Sequence, residues 1–236
     1  MNFANAFTPE RLQEAWTCLI NEFPFAIWET LYSTFLATLF AIIIGLPLGV
    51  LLVTGEPKGI RPLPSPVMTF LNVLINLLRS VPFLILMVLV FPLTRLIVGT
   101  VVGTVASIVP LVIAAFPFIA RLVESSVREV NPNIIEMAQS TGASPFQIIT
   151  KVLIPESVPS LISNITIALT TILGYTAMSG AIGGGGLGKL AINYGYYRYK
   201  YLVMIITVIL LILLVQLFQS IGTKLSVVSD KRLKKK

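Results

Sequence analysis

The sequence predicts an all-α membrane protein with five transmembrane helices, its N-terminus outside and its C-terminus inside. Three observations carry that expectation. Of 236 residues, 56% are apolar and only 11% are charged, against about 25% charged in an ordinary soluble domain. The mean hydropathy is +0.91, which excludes both a soluble domain and a disordered chain. The charges also leave gaps close to the roughly 20 residues that cross a bilayer.

The first element is expected over residues 8–23. Thr8 is placed to cap a helix and Pro9 suits its first turn. Leu12, Trp16, Leu19 and Phe23 then share one stripe. The pattern is that of an amphipathic helix lying on the membrane surface, so residues 1–24 form an extracytoplasmic N-terminal segment. The first span is not a cleaved signal peptide, because acids rather than bases precede its long apolar run.

The spans fall within 25–225. Charge-free runs cover Thr30 to Gly55, Leu96 to Ala120, Ser157 to Gly188 and Tyr201 to Thr223. A fifth covers about Pro66 to Pro92, interrupted by Arg79. One central charge costs about 2.5–3.5 kcal/mol on insertion scales, which the flanking apolar residues offset. Arg79 has two readings. It faces a partner subunit or a wet interior, or its side chain reaches the headgroups.

Orientation follows from the basic residues. With the N-terminus outside, the inner side holds eleven Lys and Arg, six of them from Lys224 onward, and the outer side five. Residues 226–236 are then a basic cytoplasmic tail. Such a tail also suits nucleic acid, but in so apolar a chain it anchors a membrane end.

Composition limits the chemistry. There is no histidine, and the single cysteine is Cys18. No metal site, cofactor site or catalytic cluster is expected. The run Gly183 to Lys189 meets a Gly-x-Gly-x-x-Gly spacing and most of a phosphate loop. However, Leu190 stands where that loop needs a hydroxyl, and no strand–helix unit surrounds it. It is better read as a break in the fourth helix. Gly174, Ala177, Ser179, Gly180 and Ala181 suit close helix packing. They equally suit a translocation path lined by Tyr175, Thr176 and Met178, with Met178 at an outer constriction; both readings stand.

The longest polar segment between spans runs from about 124 to 156. Asn131-Pro132 starts a short helix over Ile134 to Ser140, Gly142 takes a left-handed position, and Ser144-Pro145 starts a second helix ending near Pro155.

This segment resembles the cytoplasmic motif of ATP-binding cassette importer permeases. That pattern is Glu-Ala-Ala, three residues, Gly, nine residues, Ile-x-Leu-Pro. Glu136, Ala138, Gly142 and Pro155 match, while Met137, Val152 and Ile154 are apolar replacements. Arg79 to Phe83, Pro117 to Arg121, Gly174 to Met178 and Gly185 to Gly188 are similar to the methionine-uptake branch, and about 25–225 fit. The resemblance implies an ATPase-coupling role for Glu136, Ala138, Gly142 and Pro155. It also implies a homodimer in the bacterial inner membrane, two copies of a cytoplasmic ATPase subunit and an extracytoplasmic methionine-binding protein. The alternative is an ion-coupled secondary transporter. It normally needs carboxylates or His within spans, and here only Glu29 and Glu124 lie near span ends. A membrane-embedded enzyme lacks a catalytic cluster.

Overall fold

A computed structural model describes residues 8–230. Those residues contain no strand, and eleven α-helices follow one another along the chain. Helix α1 covers Pro9–Asn21 and α2 covers Phe23–Thr54. Then come α3 (Ser65–Ser80), α4 (Phe83–Leu89), α5 (Phe91–Val98) and α6 (Thr104–Arg128). The polar segment supplies α7 (Pro132–Ser140) and α8 (Pro145–Ile148). The remainder forms α9 (Ile154–Ser179), α10 (Gly186–Leu190) and α11 (Tyr201–Ser229). The basic tail expected over 226–236 lies largely outside the described residues.

Four helical runs are long and apolar enough to cross a membrane: Phe23–Thr54, Thr104–Arg128, Pro145–Ile182 and Tyr201–Ser229. Only if the bent pair Ser65–Ser80 and Phe83–Leu89 counts as one span is there a fifth. The second expected span is therefore broken. Val81 and Pro82 are both extended. Proline disfavours helical backbone at the residue before it, so α3 stops there and α4 starts afresh. The third span begins at Thr104 rather than Leu96. Leu96 belongs to α5, which Gly99 ends in a left-handed cap at φ 83°.

The helix starting at Pro145 does not end near Pro155. It continues to Ser179 through a widened turn over Ile149–Leu153, in which the Ile154 N–H bonds back to the Ile149 carbonyl. Proline clashes with the carbonyl four residues earlier and lacks an N–H. A π-type turn immediately ahead of it relieves both problems without ending the helix.

The expected cap at Thr8 is absent. Thr8 is extended, but its side chain makes no capping bond. The expected stripe is also divided. Leu12 and Trp16 are exposed, whereas Phe23 starts α2 and is buried. The buried face of α1 is Ala15 and Cys18, with Leu19 packed beside them.

The chain divides into two compact units, and each of the four long runs supplies residues to both. The first unit comprises Met1–Thr38, Pro82–Val112 and Leu169–Phe218. Its core joins Ala15, Cys18, Phe23 and Ala26 to Leu187, Leu190 and Val203. Burial pushes the Cys18 thiol up from its ordinary pKa, and the charge of Glu22 adds to the effect.

The second unit comprises Leu39–Val81, Ile113–Ala168 and Gln219–Lys236. Leu52, Met68, Ile75 and Ala120 form one of its cores. Gly45 and Gly49 let α2 lie directly on α6. A Cβ on Gly49 would stand 2.5 Å from the Ala120 carbonyl oxygen, and one on Gly45 2.8 Å from that of Phe116. Small residues four apart are a usual way for apolar helices to meet closely. Arg121 ties three polar side chains together in this unit. It donates to Asn72 Oδ1 and Asn76 Oδ1, both at 2.9 Å, and forms an ion pair with Glu124 at 2.6 Å.

Candidate functional site

Two places gather the candidate residues. The first is the hairpin of α7 and α8, within the second unit. Asn131 Oδ1 accepts from the Asn133 N–H at 3.0 Å, and Pro132 occupies the first turn. The far end closes in a Schellman arrangement. The Ala143 N–H bonds the Ala138 carbonyl at 3.2 Å, and the Gly142 N–H bonds the Gln139 carbonyl at 2.9 Å. That closure places Gly142 at φ +78°, a region L side chains rarely adopt. The spacing from Ala138 to Gly142 is therefore the spacing of a helix end. Ser144 then opens α8 with a capping box. Its hydroxyl accepts from the Gln147 N–H at 3.4 Å, and its own N–H donates to Gln147 Oε1 at 2.8 Å.

Helix α7 has no buried residue. Met137 and Phe146 are 64% and 74% exposed, and Gly142 has open space around it. The hairpin is thus rigidly capped and presents large apolar side chains outward. Glu136 lines a cleft of about 550 Å³ with Glu56, Lys58, Arg128, Pro132 and Gln139. Arg128 bridges Glu56 at 2.5 Å and Glu124 at 2.8 Å. The hydrogen bond from Arg128 holds the Glu56 carboxyl below its ordinary pKa. Pro155 is exposed at the start of α9. Glu136, Ala138 and Gly142 therefore share one hairpin, and Pro155 comes after the widened turn.

The second place is the glycine segment after α9, within the first unit. A single 3₁₀ turn, Gly180–Ile182, ends at Gly183 with φ 99°. The chain breaks here as expected and forms no strand–loop–helix. Tyr175 stacks on Phe83, with ring centroids 4.6 Å apart and planes 5° from parallel. Met178 is exposed, while Thr176 is buried and bonds the Leu173 carbonyl. Tyr175 and Met178 thus share a stretch of helix, but only Tyr175 packs on an aromatic neighbour. Arg79 lies exposed in the last turn of α3, where a helix end favours a cation.

Sequence reading missed four features: the Gly45/Gly49 contact, the Arg121 network, the apolar tip of the hairpin, and Glu29. Glu29 Oε1 accepts from the Thr104 hydroxyl at 2.5 Å, and Oε2 from the Gly186 N–H at 2.8 Å. A lone acid in an apolar run was the available signal.

Apolar helices long enough to span and a broken helix pair define a multi-span membrane protein with a capped polar hairpin between two of its spans. The chain belongs to the family of binding-protein-dependent transport system inner membrane components, matched over residues 45–224. It is similar to the "Probable D-methionine transport system permease protein MetI" of Vibrio cholerae, with 50% identity over 200 residues, 85% of this chain and 88% of that one. It is 46% identical over 154 residues to the D-methionine transport system permease protein MetI of Escherichia coli K12, covering 65% of this chain and 70% of that one. A solved inward-facing structure of the MetNI methionine ABC transporter matches with a TM-score of 0.84 at 44% identity, over 86% of this chain and 94% of its own. An amino acid ABC transporter at 19% identity and a TM-score of 0.70 shares the fold.

Proposed function

We propose that this chain is the permease subunit of an ATP-driven importer of methionine. The observation that carries the reading is the match along most of its length to named methionine permeases. Two copies pair in the inner membrane with the N-termini outside. Two copies of a separate ATPase sit against the α7–α8 hairpins on the cytoplasmic side. An extracytoplasmic methionine-binding protein delivers substrate to a path that Tyr175 and Met178 line, with Met178 at the outer constriction. The chain itself needs no cofactor.

The hairpin suits such coupling. Both ends of α7 are capped, so the helix moves as one piece with whatever grips it. Its exposed Met137 and Phe146 give a partner apolar surface to cover, and the burial of two such side chains contributes about 1.5–3 kcal/mol each. Glu136, Ala138, Gly142 and Pro155 are the coupling residues. ATP binding shifts the paired permeases between inward-facing and outward-facing states only as far as the ATPase prefers one of them.

The test is purification from native membranes, followed by intact mass and uptake. A complex with two permeases and two ATPases that drives methionine uptake with ATP supports the proposal. Uptake that persists without the ATPase and collapses with the ion gradient returns the ion-coupled alternative.

A further inference from the structure

Glu29 is the only charged residue of α2, and the coupling hairpin gives it no part. Among the described residues no Lys or Arg forms an ion pair with it. Its carboxylate accepts instead from two segments distant in the chain, the Thr104 hydroxyl and the Gly186 N–H. The neighbouring Thr30 hydroxyl accepts from the Leu187 N–H at 2.9 Å. Nothing larger than glycine fits between these groups. A Cβ on Gly185 would lie 2.8 Å from Glu29 Oε2 and collide with the Thr104 hydroxyl. Gly186 itself sits at φ +74°, which aims its N–H at the carboxylate.

The rest of the segment rests on the last turn of α9. The Gly184 N–H bonds the Ser179 carbonyl at 2.9 Å. A Cβ on Gly188 would stand 2.6 Å from Ala177 Cα. The two residues touched, Ala177 and Ser179, flank Met178. One carboxylate therefore fixes a backbone segment that in turn backs the turn carrying Met178.

We infer that Glu29 is a positioning residue that seats Gly183–Gly188 against Ala177–Gly180 and so holds Met178 in place. The inference rests on the permease reading only in setting Met178 on the path.

The experiment uses the full complex with Met178→Cys, labelled in membranes by an impermeant maleimide. The native Cys18 is buried with its thiol pushed up, so it reacts slowly. Glu29→Ala removes both acceptors and loosens the turn that carries residue 178, so labelling there is expected to quicken about tenfold, ~1.4 kcal/mol of lost anchoring. Glu29→Gln keeps both contacts, because its amide oxygen accepts from Gly186 and its NH₂ donates to the Thr104 hydroxyl. That variant is expected within about threefold of the parent, the residue of lost charge assistance. Parental labelling in assembled Glu29→Ala overturns the inference, as does Cys18 opening in step with position 178. If Glu29→Ala fails to reach the membrane, Thr104→Val and Thr104→Ser decide: Val is expected to quicken labelling and Ser to restore it, and a slow Val overturns the claim. Labelling needs no transport. A complex that fails to import methionine yet shows the Glu29 dependence refutes the permease reading and leaves the positioning role intact.

Discussion

Gly142 separates docking from backbone strain. The ideal Cβ there meets nothing within 4 Å, so a side chain meets no steric cost inside this chain. The cost lies in φ +78° alone, about 1–2 kcal/mol for an ordinary L residue. The lower entropy of the unfolded chain returns about 0.4–1 kcal/mol. Gly142→Ala is left with a local penalty of about 1 kcal/mol, roughly a fivefold loss of the closed Schellman end. Asn tolerates the left-handed region, so Gly142→Asn is expected near wild type. Gly142→Trp carries the same backbone penalty as Ala and adds bulk on the exposed face. Because α7 buries no residue, neither variant is expected to shift melting of the purified permease appreciably. The assay is ATP-driven uptake at matched membrane levels, with the ATPase retained on purification as a second readout. Asn is expected to transport normally, Ala to lose less than about fivefold, and Trp to lose nearly all uptake and release the ATPase. If Trp transports normally, the docking claim is wrong. If Ala fails as completely as Trp, strain explains the loss and the face of the hairpin is not where the partner sits.

Two further outcomes are expected. Gly49→Val forces a Cβ to 2.5 Å from the Ala120 carbonyl and 2.6 Å from Val123 Cβ; overpacking of that kind typically costs about 1–3 kcal/mol, so detergent melting is expected to fall clearly while Gly49→Ala falls less, and an unchanged melting point refutes the close α2–α6 contact. Glu56 has its carboxyl pKa lowered by Arg128, so its contribution is present above the ordinary carboxyl range and is lost as pH falls through the depressed value. Both partners are over two-fifths exposed, which limits the pair to about 0.2–1 kcal/mol; wild type is expected to be slightly more stable than Glu56→Gln at pH 7, with the gap narrowing as pH falls through the depressed carboxyl value, and a gap that does not narrow in acid refutes the ion pair.

What the sequence made legible was the local chemistry of helix ends. Asn131-Pro132, Gly142 and Ser144-Pro145 each act through their immediate neighbours, and each occupies the expected role. Four of the five expected spans correspond to long apolar helices, because length and charge-free runs are properties of one segment. Prolines were harder to read, since their effect depends on what surrounds them. Pro82 breaks a helix, Pro47 lies inside one, and Pro155 is absorbed by a widened turn. The same opportunity for a break was therefore resolved three ways. Contacts across long sequence separations were not legible at all. Arg121 with Asn72, and Glu29 with Gly186, stand 49 and 157 residues apart. Nothing in one sequence pairs them. Tertiary packing also decides which face of a short helix turns inward: α1 buries the small Ala15 and Cys18 against this chain and leaves Leu12 and Trp16 of the apolar stripe exposed.

The helical acids also bear on the choice between importer and ion-coupled transporter. A carrier driven by protons or sodium needs a carboxylate that gains and releases its ion during each cycle. Glu124 is held by two guanidinium groups, Arg121 at 2.6 Å and Arg128 at 2.8 Å. Handing that carboxylate to a transported ion would take a partner from both cations. Glu29 is occupied differently, by a hydroxyl and a backbone N–H that both donate to it. Both acids are committed to fixed partners within their own units. That occupancy favours the importer reading, in which the driving force enters from a separate subunit; the capped hairpin with its exposed Met137 and Phe146 is the element we propose receives it.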